Sequence, residues 1–283
     1  MNVGVSGASG HLGKAILTEL AKRAAGHELV AISRTPDGMA SSAECRLGDY
    51  DRPETLAAGY AGLDRLLLIP SADLRPGVLS SQICAAIDAA VAAGVGQIFL
   101  LSGSGARRAS GYADHWTGEQ RLISSDAKAW TILRMGFFAE TFAELARMSL
   151  ESGMLPGLSE NQVAFVSKQD VAAALAGCLV TEQHAGATYN LSGPAVISGA
   201  ERAAMVSEVS GKPLSFMVLT EEQFRGGLAQ ANLPPFLVDT FVAMQHAFTK
   251  GAYNIVTGDI ETLSSHAPRP LRTTLAAAWA AAA

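Results

Sequence analysis

With 283 residues, 49% of them hydrophobic and 17% charged, the chain is long enough for one large or two modest globular domains. A net charge of −5 and a pI near 5.7 give no electrostatic footprint for nucleic acid or an anionic membrane surface. The mean hydropathy of +0.22 reflects alanine, since no apolar run reaches the ~18 residues of a membrane-crossing helix. No basic stretch followed by an apolar one marks a secretory signal. Cys45, Cys84 and Cys178 are few, odd in number and far apart, and they read as core-filling free thiols in a reducing cytoplasm.

The first element is a short apolar strand over residues 3–5. It breaks into Gly7, Gly10 and Gly13, and Leu12, Ile16, Leu17, Leu20 and Ala21 then recur at helical spacing. A strand that turns tightly into a helix aims the helix's free N–H groups and positive dipole end at what sits above it. The usual occupant is a dinucleotide pyrophosphate, and glycine serves where a side chain would block the turn, the phosphate or the helix packing. The spacing is G-x-x-G-x-x-G rather than the standard G-x-G-x-x-G, so a plain strand-to-helix turn is the alternative. The context favours the dinucleotide, because a second strand over residues 28–33 completes a βαβ unit.

Further strand-like runs at 45–47, 66–69, 98–101 and 130–133 alternate with helical patterns at 12–24, 53–60, 78–93, 116–124 and 142–150. That alternation predicts an α/β fold, a Rossmann-type doubly wound parallel sheet. After residue 154 the pattern changes to short strands at 163–166 and 188–191 around a helix at 169–180. Helices follow at 199–210, 221–231 and 236–250, with loops at 233–235 and 266–270 and a helix or frayed tail at 275–283. The expected organisation is a dinucleotide-binding domain over 1–154 and a smaller, mainly helical substrate lobe over 155–283, interleaved with the sheet.

In Rossmann units the ribose is read at the end of the second strand, by an acid for NAD or a basic group for NADP. Glu28 stands at the start of that strand, the wrong end, whereas the C-terminal end reads Ile32-Ser33-Arg34-Thr35. Arg34 can fork onto a 2′-phosphate with two parallel hydrogen bonds, which makes NADPH (NADP) the expected cofactor. The other reading of Arg34 is a solvated loop arginine.

Segments 6–13, 31–34, 48–50, 67–71, 131–137, 167–172 and 188–191 occur together and in order. On these the chain resembles the atypical short-chain dehydrogenases of NmrA-like type, nearest the NAD(P)H:quinone oxidoreductase type 2 and triphenylmethane reductase group. The resemblance implies that Gly7, Ala8, Ser9, Gly10, His11 and Leu12 cradle the pyrophosphate and that Arg34 holds the 2′-phosphate. It further implies that Asp49 lies beside the adenine, that Pro70 and Ser71 flank the cofactor, and that Ser102, Gly103, Met135 and Gly136 line its nicotinamide end. Where relatives tend to carry asparagine this chain has Met135, which makes that end more apolar.

Ordinary short-chain dehydrogenases move the carbinol proton with a tyrosine tuned by a lysine four residues on. Tyr50, Tyr60, Tyr112, Tyr189 and Tyr253 all lack lysine at that position. A conjugated acceptor such as a quinone or triarylmethyl cation takes hydride without a strong acid, so the missing pair narrows the substrate class. His115 and Glu119 share a helix face, four residues apart, and His115 is the candidate catalytic residue; an ordinary helix-surface pair is the other reading. Phe137 and Phe138, with Met135, would form an apolar wall for a flat aromatic substrate, or pack in the core. The loop from Ser102 to Arg107 and Arg108 is long enough to cover a cofactor. No metal-ligand spacing occurs.

The leading expectation is therefore a cytoplasmic NADPH-dependent reductase of conjugated aromatic acceptors, monomeric or homodimeric, with a small aromatic substrate and no nucleic-acid or membrane partner. A redox-sensing NADP-binding regulator without turnover, and a specialised reductase of one aromatic metabolite, are the alternatives.

Overall fold

The computed structural model describes residues 1–23, 25–39, 42–73, 75, 77–106, 113–231 and 233–281; Arg107, Arg108 and Tyr112 lie outside the described residues. The elements run β1 (Asn2–Ser6), α1 (His11–Arg23), β2 (Glu28–Ser33), β3 (Glu44–Leu47), α2 (Leu56–Tyr60), β4 (Arg65–Leu68), α3 (Val78–Ala92), β5 (Gln97–Gly103), α4 (Ala113–Ile123) and β6 (Trp130–Met135). They continue with β7 (Phe137–Phe138), α5 (Ala139–Ser149), β8 (Met154–Gly157), β9 (Gln162–Val163), β10 (Phe165–Val166), α6 (Lys168–Val180), β11 (Ala187–Leu191) and β12 (Ile197–Ser198). The last are α7 (Gly199–Ser210), β13 (Ser215–Val218), α8 (Glu221–Gln230), α9 (Pro235–Thr249), α10 (Asp259–Ser264) and α11 (Leu271–Ala280).

The chain forms two compact units. The first holds Met1–Met135, Gln169–Leu191 and Asp259–His266; the second holds Gly136–Lys168, Ser192–Gly258 and Ala267–Ala283. The chain thus changes unit after Met135, not at the expected cut between 154 and 155. Sheet pairing explains the return of 169–191 to the first unit. β11 pairs with β6 in parallel register, from Ala187 opposite Thr131 to Leu191 opposite Met135.

In the first unit seven strands, counted among the described residues, lie in the order β11-β6-β5-β4-β1-β2-β3, every pair parallel. This is the doubly wound Rossmann-type sheet, with its order reversing between β1 and β4. The crossovers β1→β2 and β4→β5 run in opposite directions across the sheet, so right-handed connections put α1 and α3 on opposite faces. Burial on both faces is why these strands are apolar throughout rather than alternating. Ile32, Leu66, Leu68, Ile98, Leu100 and Ile132 join one core with Leu56 and Tyr60 of α2 and with Ile83 and Ile87 of α3. Val5, Leu67, Phe99 and Leu101, one residue out of phase, point to the other face and are equally buried. In α1 the buried stripe is Gly13, Ile16, Leu17 and Leu20; Ala21, expected on it, is exposed.

The second unit is held by short strand pairs and helices. The expected single strand at 163–166 is split at Ala164, whose N–H donates to Tyr253 O at 2.7 Å. Its halves serve different partners: β9 pairs antiparallel with β12, and β10 pairs parallel with β7. β8 and β13, unread in the sequence, pair in parallel from Met154 opposite Ser215 to Gly157 opposite Val218. Pro156, which has no N–H to give, is tolerated because both strands of a two-stranded ribbon are edges. α7 opens on a capping box, Ser198 Oγ accepting from Glu201 N–H and Glu201 Oε2 accepting from Ser198 N–H at 2.8 Å. α11 packs on α5 and α7, and the Arg147 guanidinium lies 4.7 Å from the Trp279 ring centroid.

Candidate cofactor site and the residues around it

Every strand of a parallel sheet ends at the same edge, and the expected cofactor residues of the first unit follow those ends. Gly7 to Leu12 follow β1, Arg34 follows β2, Asp49 follows β3, Pro70 and Ser71 follow β4, and Ser102-Gly103 and Met135 close β5 and β6. The order reverses between β1 and β4, and the edge at such a reversal is where sheets of this kind bind ligands.

The glycine turn is built from three different constraints. Gly7 has φ +86°, and a Cβ there would lie 3.1 Å from both Ile69 Cβ and Ile69 O, just beyond the end of β4. At Gly13 a Cβ would run into Gly7 O and the backbone of Ala8, so this glycine lets α1 lie against the turn. At exposed Gly10 the nearest heavy atom to an added Cβ is Gly7 O at 3.5 Å, so the protein does not need a glycine there. The space above it suits a ligand approaching the backbone. The N–H groups of Gly7 and Ala8 both donate to Ile32 O at 3.1 Å, and that of Gly10 to Gly7 O at 3.2 Å. These bonds hold the turn on β2 and commit the N–H groups of Gly7, Ala8 and Gly10 within the protein. Those of His11 and Leu12, in the first turn, have no carbonyl four residues back inside the helix.

Arg34 is exposed, beyond the end of β2, and Glu28 stands at that strand's opposite end, paired in register with Asn2. Asp49 shapes its own turn: its Oδ1 accepts from Asp51 N–H at 3.1 Å, and its N–H donates to Thr55 Oγ1 at 3.0 Å. Beyond β4, Ser71 Oγ donates to Gln82 Oε1 at 2.5 Å, and Gln82 Nε2 donates to Asp51 Oδ1 at 2.7 Å. Pro70 and Ser71 border a small void there, about 10 Å³, with Tyr50 and Gln82.

Among the described residues of this unit, the tyrosines are not set up as acids. Tyr50 donates its hydroxyl to Ile69 O at 2.9 Å, and desolvation pushes its pKa up, as it does for Tyr60, which bonds Ser6 Oγ at 3.1 Å. Tyr189 bonds His184 Nδ1 at 2.9 Å and is raised by burial too. These phenols stay protonated and brace backbone and side chains.

At the ends of β5 and β6 the structure assembles a buried polar cluster that the sequence did not reveal. Fully buried Glu119 of α4 receives Ser102 Oγ at 2.6 Å and two bonds from Arg134, Nε to Oε1 at 2.9 Å and Nη2 to Oε2 at 2.6 Å. The side chain of Ser102 is therefore turned into this cluster, which leaves backbone to line the edge at 102–103. Ser104 bonds Met135 O through both N–H (2.9 Å) and Oγ (3.0 Å), pinning the exit of β6. His115, one turn before Glu119 on α4, is half-buried. Burial lowers its pKa below the ordinary value, opposed by the charges of Glu119 and Asp114. It is a neutral imidazole at physiological pH. A pairing of His115 and Glu119 by helix spacing was thus half the account, since the carboxylate is committed to Arg134 and Ser102.

Gly136, Phe137 and Phe138 belong to the second unit. Phe137 packs edge-on against Phe248, ring centroids 5.1 Å apart, and borders an apolar cavity of about 410 Å³. Phe138, expected to share that wall, does not line it; its ring lies 5.8 Å from Lys168 Nζ. The one-residue alternation of an extended pair turns the two rings to opposite sides. Among the described residues no group of three or more His, Cys, Asp or Glu side chains gathers as a metal site, and no helix is long and apolar enough to cross a membrane.

Residues 7–182 match the family described as NAD(P)H-binding. Quinone oxidoreductase 2 of Escherichia coli is 30% identical over 277 residues, covering 96% of this chain and 95% of that protein. The NAD(P)H azoreductase of Xenophilus azovorans is 30% identical over 230 residues, 80% of this chain and 78% of that one. Triphenylmethane reductase from Citrobacter sp., solved in complex with NADP(H), superposes with a TM-score of 0.88 at 27% identity, covering 98% of this chain and 99% of that one. The chain belongs to the NAD(P)H-binding family, and it fits the NmrA-like atypical short-chain dehydrogenase group within it.

Proposed function

We propose that the protein is an NADPH-dependent oxidoreductase that passes hydride to a conjugated aromatic acceptor, a quinone first among them. The observation that carries this reading is the glycine turn at the sheet's reversal point, with Gly7 at φ +86° and Gly10 open above the first turn of α1. The full-length similarity to a quinone oxidoreductase supports it. NADPH, when bound, supplies the hydride.

The chain's own residues bind and orient. The first-turn N–H groups of His11 and Leu12 meet the pyrophosphate. Arg34, exposed beyond the end of β2, forks onto the 2′-phosphate. Asp49, Pro70, Ser71, the backbone of Ser102 and Gly103, and Met135 flank the remainder of the cofactor, with Gly136 at the step into the second unit. Phe137 supplies aromatic surface for the acceptor. His115, neutral through burial, is suited to hold a hydrogen bond rather than to deliver a proton in bulk. A quinone that accepts hydride becomes a phenolate stabilised by its own ring and takes its one proton from solvent, so no tyrosine–lysine acid is needed.

The test is oxidation of NADPH, followed by its near-ultraviolet absorbance, against quinones, azo dyes and triarylmethane dyes. Turnover with several acceptors is the expected result, and turnover with a single one would mark a specialised reductase. Thermal stabilisation by NADPH with no turnover would favour a redox-sensing role. Failure of both NADPH and NADH to raise Tm would overturn the cofactor reading itself, since a ligand of the native state must stabilise it.

A further inference from the structure

In the second unit α8 and α9 form a helical hairpin that is tied together by charge and tied down by little else. Arg225 of α8 donates to Glu221 Oε1 at 2.8 Å and to Asp239 Oδ1 of α9 at 2.7 Å. The other oxygen of Glu221 lies 2.9 Å from His246 Nε2 of α9. Among the described residues, each of the two helices packs closely on the other and only sparsely on any other helix or strand. The single side-chain hydrogen bond from 220–249 to the rest of the unit, again among the described residues, joins Thr249 Oγ1 to Ser159 Oγ at 2.9 Å, at the foot of α9.

Phe224 and Leu228 of α8 and Phe241 and Met244 of α9 border the cavity of about 410 Å³. Phe224 is the one buried residue of α8. Gly226 and Gly227 weaken that helix, and a Cβ at either would meet no atom within 4 Å, so packing does not call for them. The chain is firmly held on both sides of the hairpin. Leu219 N–H donates to Gly157 O at 2.8 Å, and Tyr253 O accepts from Ala164 N–H at 2.7 Å. Phe248, beside the foot of α9, meets Phe137 and Tyr253 edge-on. Between the fixed points lie the N-cap Thr220 at one foot and, at the other, Gly251 with φ +70°. Gln245 of α9 is 7% exposed, and its Oε1 is closed to water with no hydrogen-bond partner. A buried acceptor without a donor is costly, and here the cost falls on the hairpin while it lies down.

We propose that the α8–α9 hairpin is a lid on this cavity, swinging as one body about Thr220 and Gly251 to admit a molecule and lying down over it. The ion pairs run within the hairpin, so they keep the two helices together through the swing. Lifting brings Gln245 Oε1 to water, which offsets part of the penalty for exposing apolar surface and keeps the raised state within reach of the lowered one. The motion stands on the second unit by itself. That the molecule admitted is the hydride acceptor rests on the proposed function.

Electron–electron resonance distances between nitroxide labels on the full-length protein, without nucleotide, test the lid. Labels at Ala204→Cys on α7 and Ala243→Cys on α9 report the hairpin against the rest of the unit, and Glu222→Cys with Ala243→Cys reports α8 against α9; all three sites are exposed. Cys45 and Cys84 are replaced by serine, and Cys178, buried with its thiol pushed up to about 12, escapes labelling. The distance from α7 to α9 is expected to show two populations, one of them at the separation in this structure, and the distance within the hairpin a single one. Gln245→Leu, which removes the orphaned oxygen, is expected to enrich the lowered population about tenfold. Phe224→Ala, which removes the buried side chain of α8, is expected to enrich the raised one, and a single distance within the hairpin shows that both variants are folded. One α7-to-α9 distance in all these proteins, two populations within the hairpin, or a ratio that Gln245→Leu leaves unchanged would each overturn the proposal. Two lid positions in a protein that never oxidises NADPH would overturn the proposed function and leave the lid standing; turnover with one lid position would do the reverse.

Discussion

Glu119 and Arg134 are joined at two points, Nε to Oε1 at 2.9 Å and Nη2 to Oε2 at 2.6 Å, with the Glu119 side chain fully buried and the Arg134 side chain 27% exposed. The pair ties α4 to the end of β6, and Ser102 adds the end of β5 to the same carboxylate.

The unequal burial of the two partners predicts unequal costs for losing them. Arg134→Leu leaves a carboxylate in the interior with Ser102 as its remaining donor, and is expected to cost about 3–5 kcal/mol. Glu119→Gln leaves the partner whose side chain is partly exposed and keeps an amide oxygen beside it, and is expected to cost about 1–2 kcal/mol. Urea unfolding of the two variants checks this, and equal losses would refute the assignment of burial to the carboxylate alone.

The three glycines of the opening turn are expected to separate into stability and binding roles. Gly7→Ala forces a side chain into a left-handed conformation, costing about 1–2 kcal/mol before any clash with Ile69. Gly13→Ala collides with backbone and is expected to cost more. Gly10→Ala is expected to change stability by less than about 1 kcal/mol, yet to shrink the Tm increase given by NADPH. A Gly10→Ala protein that NADPH stabilises like the parent would remove the phosphate from that position.

Arg34→Ala is expected to weaken NADPH roughly 10- to 100-fold, the worth of charge-assisted hydrogen bonds. NADH, which lacks the 2′-phosphate, is expected to change little. Titration of both nucleotides measures it, and equal loss for the two would assign Arg34 elsewhere.

Stability should also depend on pH through histidine. Burial holds His115 below its ordinary pKa, and His184 is lowered by burial and by Arg65. As pH falls through about 6.5 the unfolded chain binds protons that the folded chain refuses, so stability declines. The decline ends once pH lies below the folded-state values, where both states are protonated. His115→Gln is expected to lessen the loss measured by chemical denaturation between about pH 7.5 and 5.5, with His184 keeping the remainder. A loss unchanged by the substitution would contradict the burial of this imidazole.

The elements that were legible carry their signal locally. The strand, glycine turn and helix of residues 2–23 announce themselves because period and φ demand are read within a few residues. The all-apolar strands announced a sheet covered on both faces. β8 and β13 were missed because four-residue strands some sixty positions apart have no local period, and Pro156 argues against a strand unless an edge is known to be free. Ala164 split a run that looked continuous, since its N–H goes to Tyr253 rather than along a strand. The spacing of His115 and Glu119 is a helix-face rule, blind to Arg134 and Ser102, which reach the carboxylate from two strands.

By itself the sequence determined the doubly wound sheet, the glycine turn and the placement of Arg34 after the second strand, because these follow from local backbone geometry and a fixed chain order. Tertiary structure alone decided where the chain changes unit, which partner Glu119 takes, that Phe137 and not Phe138 lines the second unit's cavity, and that Gln245 is buried with an unpaired oxygen. Those outcomes depend on which distant side chains fill the same space, and burial is a property of that space rather than of any stretch of residues.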